Sequence, residues 1–410
     1  MPWGRGDSTS EYVLRLLPDG ERPPGHAPVT APRHRPETAP QHTPAADGES
    51  PFAAFGLPGR PGSDAFWAAA RTPASTPADG GWRTLFLWRG SEAVLDEAVL
   101  DFESWSPPVP LRRWEGTDCW YAEVPMPARL RVTYRFLVGD AAHADPFNPV
   151  GAGADRSVVA TPDAPPQPHW PSLGPDDVPP LPRTRIRWSS DRLGGRRTVR
   201  VHPVGGGGPV VLLLDGDDWL YLHPAVTAFD AAAAAGDLPP VTLVFLPAKD
   251  REAEFACRPE LWEAVRDELL PLVAESGVPV DLERLVVAGQ SLGGLSALYA
   301  ALEFPELVSR VACQSGSFWW APGAVDLPDP LGGPVGGAIA ERLRRGADLS
   351  RLRCAFDVGE HERPMLPHCE LTETLTEQAG ATVRVSRSAS GHDRAGWRHA
   401  LLRDVAWALG

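Results

Sequence analysis

The sequence predicts an α/β chain in two parts. A doubly wound α/β domain with a mostly parallel sheet is expected over residues 184–410, preceded by a small all-β sandwich over 49–162. Three observations carry this reading. Apolar strand-like runs alternate with helix-like segments throughout the later part, as they do where crossover helices join parallel strands. Short runs rich in β-branched and aromatic residues, bounded by Gly and Pro, fill the earlier part, as in small antiparallel sandwiches. Between them lies TPDAPPQPHWPSLGPDDVPPLP at 161–182, read as a proline-stiffened linker over 163–183.

Taken in order, residues 1–48 carry prolines at short intervals and little apolar periodicity, the composition of a disordered arm. The runs WRTLFLWRG, AVLDEAVLDF, CWYAEVPM and LRVTYRFLVG supply the strands of the expected immunoglobulin-like sandwich. Beyond the linker, strands are expected at RTVRVHPV, PVVLLLDG, PVTLVFLPA, LERLVVAG, VSRVACQSG, LRCAFDVG and TVRVSRSA. Helices are expected at PELWEAVRDELLPLVAES, LGGLSALYAALEFP, GGAIAERLRRG and LPHCELTETLTEQAG.

Composition removes several function classes. The net charge of -14 argues against sequence-independent nucleic-acid binding through a basic face. No segment approaches the roughly 20 unbroken apolar residues of a membrane span. The N-terminus has no basic head followed by an apolar stretch, so no secretory signal is read and a cytoplasmic location is expected. The five cysteines are scattered without a CxxC and read as buried free thiols in a reducing compartment. With no HExxH, no Cys/His cluster and no nucleotide-binding glycine loop, neither a resident metal nor a cofactor is expected. Lys249 is the one lysine, so a local positive site must be built from arginines, whose planar forks suit oxyanions.

The stretch VAGQSLGGL at 287–295 places Ser291 in a GxSxG pattern. Alone this is a weak signal, but a strand is expected before it and a helix after it, the context that a nucleophile at a sharp strand–helix turn needs. Side chains at 289 or 293 are expected to collide with a neighbouring strand or helix. The turn puts the Leu292 amide at the positive end of the helix, where it can donate to an oxyanion. A serine hydroxyl needs a base. SGHDRAGW supplies His392 after the last expected strand, and VGEHERPM supplies Glu360 and Glu362 after the one before. The chain order serine, acid, histidine is that of an α/β-hydrolase triad. Glu362 is preferred as the acid and Glu360 is the alternative; Asp393 is expected to stabilise the histidine loop. A second oxyanion donor is expected in LLLDGDDWLY (212–221), from the amides near Asp217 and Asp218.

Taken together, VAGQSLGGL, CQSGSFWW (313–320), GEHERPM (359–365) and GHDRAGW (391–397) resemble the enterochelin (enterobactin) esterase family, ferric catecholate siderophore hydrolases of the esterase D-like α/β-hydrolase group. LLLDGDDW, DREAEFACRPELWEAVRDELLPLV, TLFLWRG, GTDCWY and DPFNP extend the resemblance over roughly residues 50–410. It implies cytoplasmic hydrolysis of a cyclic trilactone catecholate so that iron can be released, with Ser291 as nucleophile and His392 as base. It also favours Glu362 as the acid, although Arg363 stands between that glutamate and the proline where the family usually runs Glu-Pro. Some members are described as using a Ser–His dyad. Arg258 stands where related sequences tend to have asparagine.

A ferric tris-catecholate carries about three negative charges and displays aromatic rings, so its pocket calls for arginines and aromatic faces. Arg251, Arg258, Trp219, Phe318, Trp319 and Trp320 all follow expected strand ends and are the candidate substrate-binding residues; iron enters as part of the substrate. The rival readings are a serine esterase or acyltransferase acting on another acyl ester, such as a feruloyl ester, and a non-catalytic siderophore-binding protein.

Overall fold

The computed structural model describes residues 52–90, 98–102, 105–152, 155–173, 178–323 and 335–410. The arm expected over 1–48 lies outside the described residues. The chain divides into two compact units, the first running through Ala164 and the second taking Pro165–Leu173 with the described residues from 178 onward.

The first unit is built on strands β1 (Ala74–Ala78), β2 (Gly81–Arg89), β3 (Val99–Asp101), β4 (Val109–Pro110), β5 (Arg112–Arg113), β6 (Cys119–Pro127), β7 (Arg131–Val138), β8 (Ala141–His143) and β9 (Ser157–Ala160), after a short helix α1 (Asp64–Ala69). They form two antiparallel sheets, ordered β1-β2-β6-β5 and β4-β3-β7-β8, with β9 beside β7. Residues of both sheets share one core: Phe86 of β2 packs edge-on against Tyr134 of β7, with ring centroids 4.9 Å apart. In β7 the alternation RVTYRFLV sends Val132, Tyr134 and Phe136 into that core, which is the period-2 signal of a strand with one buried face. The first half of the expected AVLDEAVLDF strand falls outside the described residues; pairing is seen from Val99.

The second unit carries an eight-stranded sheet of β10 (Thr184–Ser189), β11 (Arg196–Val204), β12 (Gly208–Leu214), β13 (Val241–Leu246), β14 (Val280–Gln290), β15 (Arg310–Gln314), β16 (Arg353–Gly359) and β17 (Thr382–Ser388). The order is β10-β11-β13-β12-β14-β15-β16-β17. β10–β11 and β11–β13 pair antiparallel, and all other neighbours pair parallel. The helices are α2 (Gly216–Tyr221), α3 (Ala225–Ala235), α4 (Arg251–Phe255), α5 (Pro259–Ala264), α6 (Leu270–Ala274), α7 (Leu292–Glu303), α8 (Ala338–Arg344), α9 (Leu366–Gln378) and α10 (Arg394–Leu409), with a π turn over Val265–Leu269 joining α5 to α6. Every residue of β13 is buried, as a strand covered by helices on both faces requires.

This topology fixes where chemistry can occur. The chain leaves β12 for β13 on one side and then crosses to β14 on the other, and the parallel strands end on one rim, where sheets of this kind place their sites. Those ends open into Asp215, Lys249, Ser291, Ser315, Glu360 and Ser390. Part of the expected linker belongs to this unit: Gln167 donates to the Ala395 carbonyl at 2.7 Å, and Trp170 is buried with its ring 5.8 Å from Trp219.

Candidate active site

Ser291 lies between β14 and α7 with φ 55° and ψ -120°, a left-handed backbone costly for a residue with a Cβ. Three backbone bonds hold it there. Its amide donates to Gln314 O at 3.0 Å, and its carbonyl accepts from Leu295 and Ser317 amides, each at 3.0 Å. A Cβ on Gly289 would overlap the Gly293 carbonyl, so the turn closes only with glycine at 289. At Gly293 a Cβ would meet nothing nearer than Leu214 Cβ at 3.4 Å; the collision expected there falls on Gly294, where it would sit 2.9 Å from Cys313 Sγ. The Leu292 amide, in the first turn of α7, has no acceptor within the helix and points where an anion is favoured.

His392 and Glu362 meet at the same rim. His392 Nδ1 is 2.6 Å from Glu362 Oε2. The other carboxylate oxygen accepts from Ser315 Oγ at 2.6 Å and from the Gly359 amide at 2.8 Å. Glu362 is buried, whereas Glu360 is exposed and only its backbone is tied down, by a bond to Ser388 O. The structure thus places Glu362 against the imidazole and leaves Glu360 outside. Arg363 points into solvent, so the residue that separates Glu362 from Pro364 leaves this contact intact. Asp393 caps α10, accepting from the Ala395 and Gly396 amides at 2.8 and 3.2 Å, which fixes the loop that presents His392. Asp357 is buried on Ser386 and Ser388 hydroxyls, and burial raises its pKa. Burial lowers the pKa of the neighbouring His361.

Beneath these groups runs a buried amide chain absent from the sequence reading. Trp219 Nε1 donates to Gln290 Oε1 at 3.0 Å, Gln290 Nε2 to Gln314 Oε1 at 2.9 Å, and Gln314 Nε2 to Trp397 O at 2.7 Å. It links α2, β14, β15 and α10. Ser317 and Ser315 were also missed, although both lie in the quoted CQSGSFWW; Ser317 Oγ is 3.2 Å from Ser291 Oγ.

Several expected ligand contacts are corrected. Trp219 is fully buried and spends its indole N–H on Gln290; Phe318 is buried against Phe356, ring centroids 6.0 Å apart. Neither presents an aromatic face to a ligand. Arg251 grips Asp215 in a two-point pair at 2.8 and 2.9 Å and donates to Gln290 O at 3.0 Å. Its charge is matched internally, and its work is to hold the β12 turn to the base of the Ser291 elbow. Arg394, next to the histidine loop, ion-pairs with Asp218 and lies 3.9 Å from Asp215. The Asp218 amide is taken by Asp215 O at 3.1 Å, so the structure does not leave it for an oxyanion. Arg258 is exposed and makes no ion pair among the described residues. Trp319 and Trp320 are half-buried; Trp320 is bracketed by backbone bonds to Ser317 and Ala338. Among the described residues no group of three or more His, Cys, Asp or Glu could hold a metal ion, and no helix is long and apolar enough to cross a membrane.

Comparison with known proteins identifies the family. A family model described as "Putative esterase" matches residues 190–408, more than half of the chain. The chain is 30% identical over 396 residues to the iron(III) enterobactin esterase of Escherichia coli, an alignment covering 84% of this chain and 96% of that protein. It is 30% identical to the Dickeya dadantii enzyme of the same name, covering 85% and 93%. The crystal structure of the Shigella flexneri enterobactin esterase in the presence of 2,3-dihydroxy-N-benzoyl-glycine matches with a TM-score of 0.72 at 29% identity, covering 84% of this chain and 98% of that one. A second structure of the Shigella enzyme, in the presence of enterobactin, gives 0.71 at 28% identity, covering 84% and 97%. On the family model and these relatives together, the chain belongs to the enterobactin esterase family.

Proposed function

We propose that the protein is a serine esterase that hydrolyses the ester bonds of a ferric catecholate trilactone siderophore in the cytoplasm, so that the iron can leave. The observation that carries this reading is the 2.6 Å contact of His392 Nδ1 with buried Glu362, on the sheet rim that also holds Ser291 in a left-handed turn. Its relatives are named for this activity. Five unpaired cysteines support a reducing compartment.

In the proposed reaction, Ser291 Oγ attacks a lactone carbonyl carbon while its proton passes to His392 Nε2. Glu362 on Nδ1 holds the ring in the tautomer that can accept it and stabilises the imidazolium. The Leu292 amide and the turn at 216–217 hold the oxyanion, an interaction typically worth about 2.7–4 kcal/mol per donor. The imidazolium then gives its proton to the departing alkoxide, opening the lactone and leaving an acyl-serine. Water, deprotonated by the same imidazole, attacks the acyl carbon; Ser291 leaves with the proton and the acid product departs. In the resting state the Ser291 hydroxyl is bonded to Ser317, and attack requires that it turn from there to the imidazole.

The substrate side of the site follows from charge. A protein with net charge -14 repels a trianion at long range, although salt screens this beyond about 8 Å. Arg258, exposed and free of ion pairs among the described residues, is the arginine proposed to read the ferric complex, with Trp319 and Trp320 supplying aromatic surface. Iron is part of the substrate and no cofactor is assigned. The first unit, with two antiparallel sheets sharing a core, is read as an immunoglobulin-like sandwich. The domains proposed are 49–162 and 184–410. Incubation with iron-loaded and iron-free catecholate trilactones, products followed by mass, tests the reading; a parallel feruloyl ester assay tests its main rival.

A further inference from the structure

Ser315 follows β15 with φ 46°, in the left-handed region that glycine enters freely and other residues enter at a cost. A serine at such a position asks what its hydroxyl does. Here it donates to Glu362 Oε1 at 2.6 Å and accepts from Trp397 Nε1 at 2.7 Å. All three groups are buried. The indole also stands nearly perpendicular to the His392 ring, centroids 5.0 Å apart at 85°. Its backbone is pinned from below, because Trp397 O accepts from Gln314, the residue before Ser315.

We infer that Ser315 and Trp397 form a positioning relay, indole N–H to hydroxyl to carboxylate, that fixes Glu362 and through it the imidazole of His392. The inference rests on the esterase reading above. Neither residue gains or loses a proton or bonds to the substrate in the proposed reaction. A carboxylate anchored at one oxygen by two donors, Ser315 Oγ and the Gly359 amide, has its second oxygen left in one place for Nδ1. Take away the hydroxyl and one anchor is gone, so the carboxylate can rotate and the ring with it. The relay runs in one direction, since the indole nitrogen can only donate and the ionised carboxylate can only accept.

Ser315→Gly deletes the hydroxyl while relaxing the strained backbone, and Ser315→Ala deletes it without relaxing anything. Trp397→Phe keeps a ring beside His392 and removes the N–H. Each is compared with the full-length parent chain and with Ser291→Ala, on iron-free catecholate trilactone and by proton NMR of the imidazole Nδ1–H. For both Ser315 variants kcat should fall roughly 10- to 100-fold, with KM within about twofold, as when an orienting partner is lost. The downfield Nδ1–H resonance should move or broaden away. Trp397→Phe should cost less, and combining it with Ser315→Gly should cost no more than Ser315→Gly alone, because one acts through the other. Unchanged kcat and an unchanged resonance in Ser315→Gly would overturn the relay, as would losses that multiply in the double variant. Should the parent chain prove inactive, or Ser291→Ala as active as the parent, the esterase reading fails; the resonance in Ser315→Gly still decides the relay.

Discussion

Glu362 Oε2 and His392 Nδ1 lie 2.6 Å apart, and the carboxylate is wholly enclosed while the imidazole keeps an outlet to solvent, with side-chain exposures of 0% and 19%. That carboxylate oxygen is therefore spent on the imidazole, and the ring nitrogen facing away from it is the one left for chemistry. Glu360, two residues earlier, is exposed. Replacing Glu362 by Gln should lower kcat about 10³- to 10⁴-fold, the scale seen when a triad acid can no longer hold the right tautomer. Glu360→Gln should stay within about twofold of the parent. Steady-state kinetics on a catecholate trilactone separate the two, and full activity in Glu362→Gln would instead indicate a Ser–His dyad.

Arg251 and Arg258, both expected from sequence to read the ligand, should behave differently. Arg251→Ala leaves buried Asp215 short of its two-point partner and should lower stability by about 1–3 kcal/mol, with kcat falling as the elbow loosens. Arg258→Ala should leave stability unchanged within ~0.5 kcal/mol and raise KM for the ferric complex more than for the iron-free trilactone. Denaturant midpoints and paired KM values provide the check. Equal KM effects on the two substrates would remove Arg258 from the site.

Gly289→Ala should be more damaging than its size suggests, because the added methyl would occupy the place of the Gly293 carbonyl. Overpacking of this kind costs typically 1–3 kcal/mol, and here it would also displace Ser291. Gly293→Ala, which meets its nearest neighbour at 3.4 Å, should be tolerated. Thermal melts and labelling of Ser291 by a fluorophosphonate would show the contrast; equal labelling of the two variants would contradict it.

Asp404 of α10 is buried beside Arg403 and Asp357, and burial pushes its pKa up to about 7. A carboxyl whose folded pKa exceeds its unfolded value binds its proton more tightly in the native state. Its contribution to stability is full below the unfolded pKa near 3.8 and is lost as pH rises through about 7. Asp404→Asn removes that titration and keeps an acceptor for Arg403. The stability difference between pH 5 and pH 8 should change by roughly 1–3 kcal/mol in favour of pH 8 relative to the parent. Urea unfolding at both pH values measures it; an unaltered pH dependence would show that Asp404 titrates alike in both states.

Much of this could be read from the sequence, for reasons that are local. Ser291, Glu362 and His392 each sit in a short turn after an apolar strand, so pattern and chain order suffice to find them. The two glutamines beneath them are different. Gln290 and Gln314 meet only because β14 and β15 pair in that register, which no local pattern encodes. The same holds for Arg251 and Asp215, 36 residues apart in the chain. Trp219 looked like a ligand contact because it follows a strand end, but the tight turn at Asp215, with φ 54°, starts a helix that carries the indole inward. The last helix, α10, shows little apolar periodicity because buried Arg398 and Asp404 interrupt its apolar face. Strand β10 is obscure in the sequence because its alternation is short and it directly follows the proline-rich stretch.

The most direct test of the central claim is mass analysis of ferric and iron-free catecholate trilactones after incubation with the parent chain and with Ser291→Ala. The account predicts stepwise addition of water to the trilactone by the parent, and substrate that Ser291→Ala still binds but leaves intact. Hydrolysis by Ser291→Ala at a rate near that of the parent would contradict it.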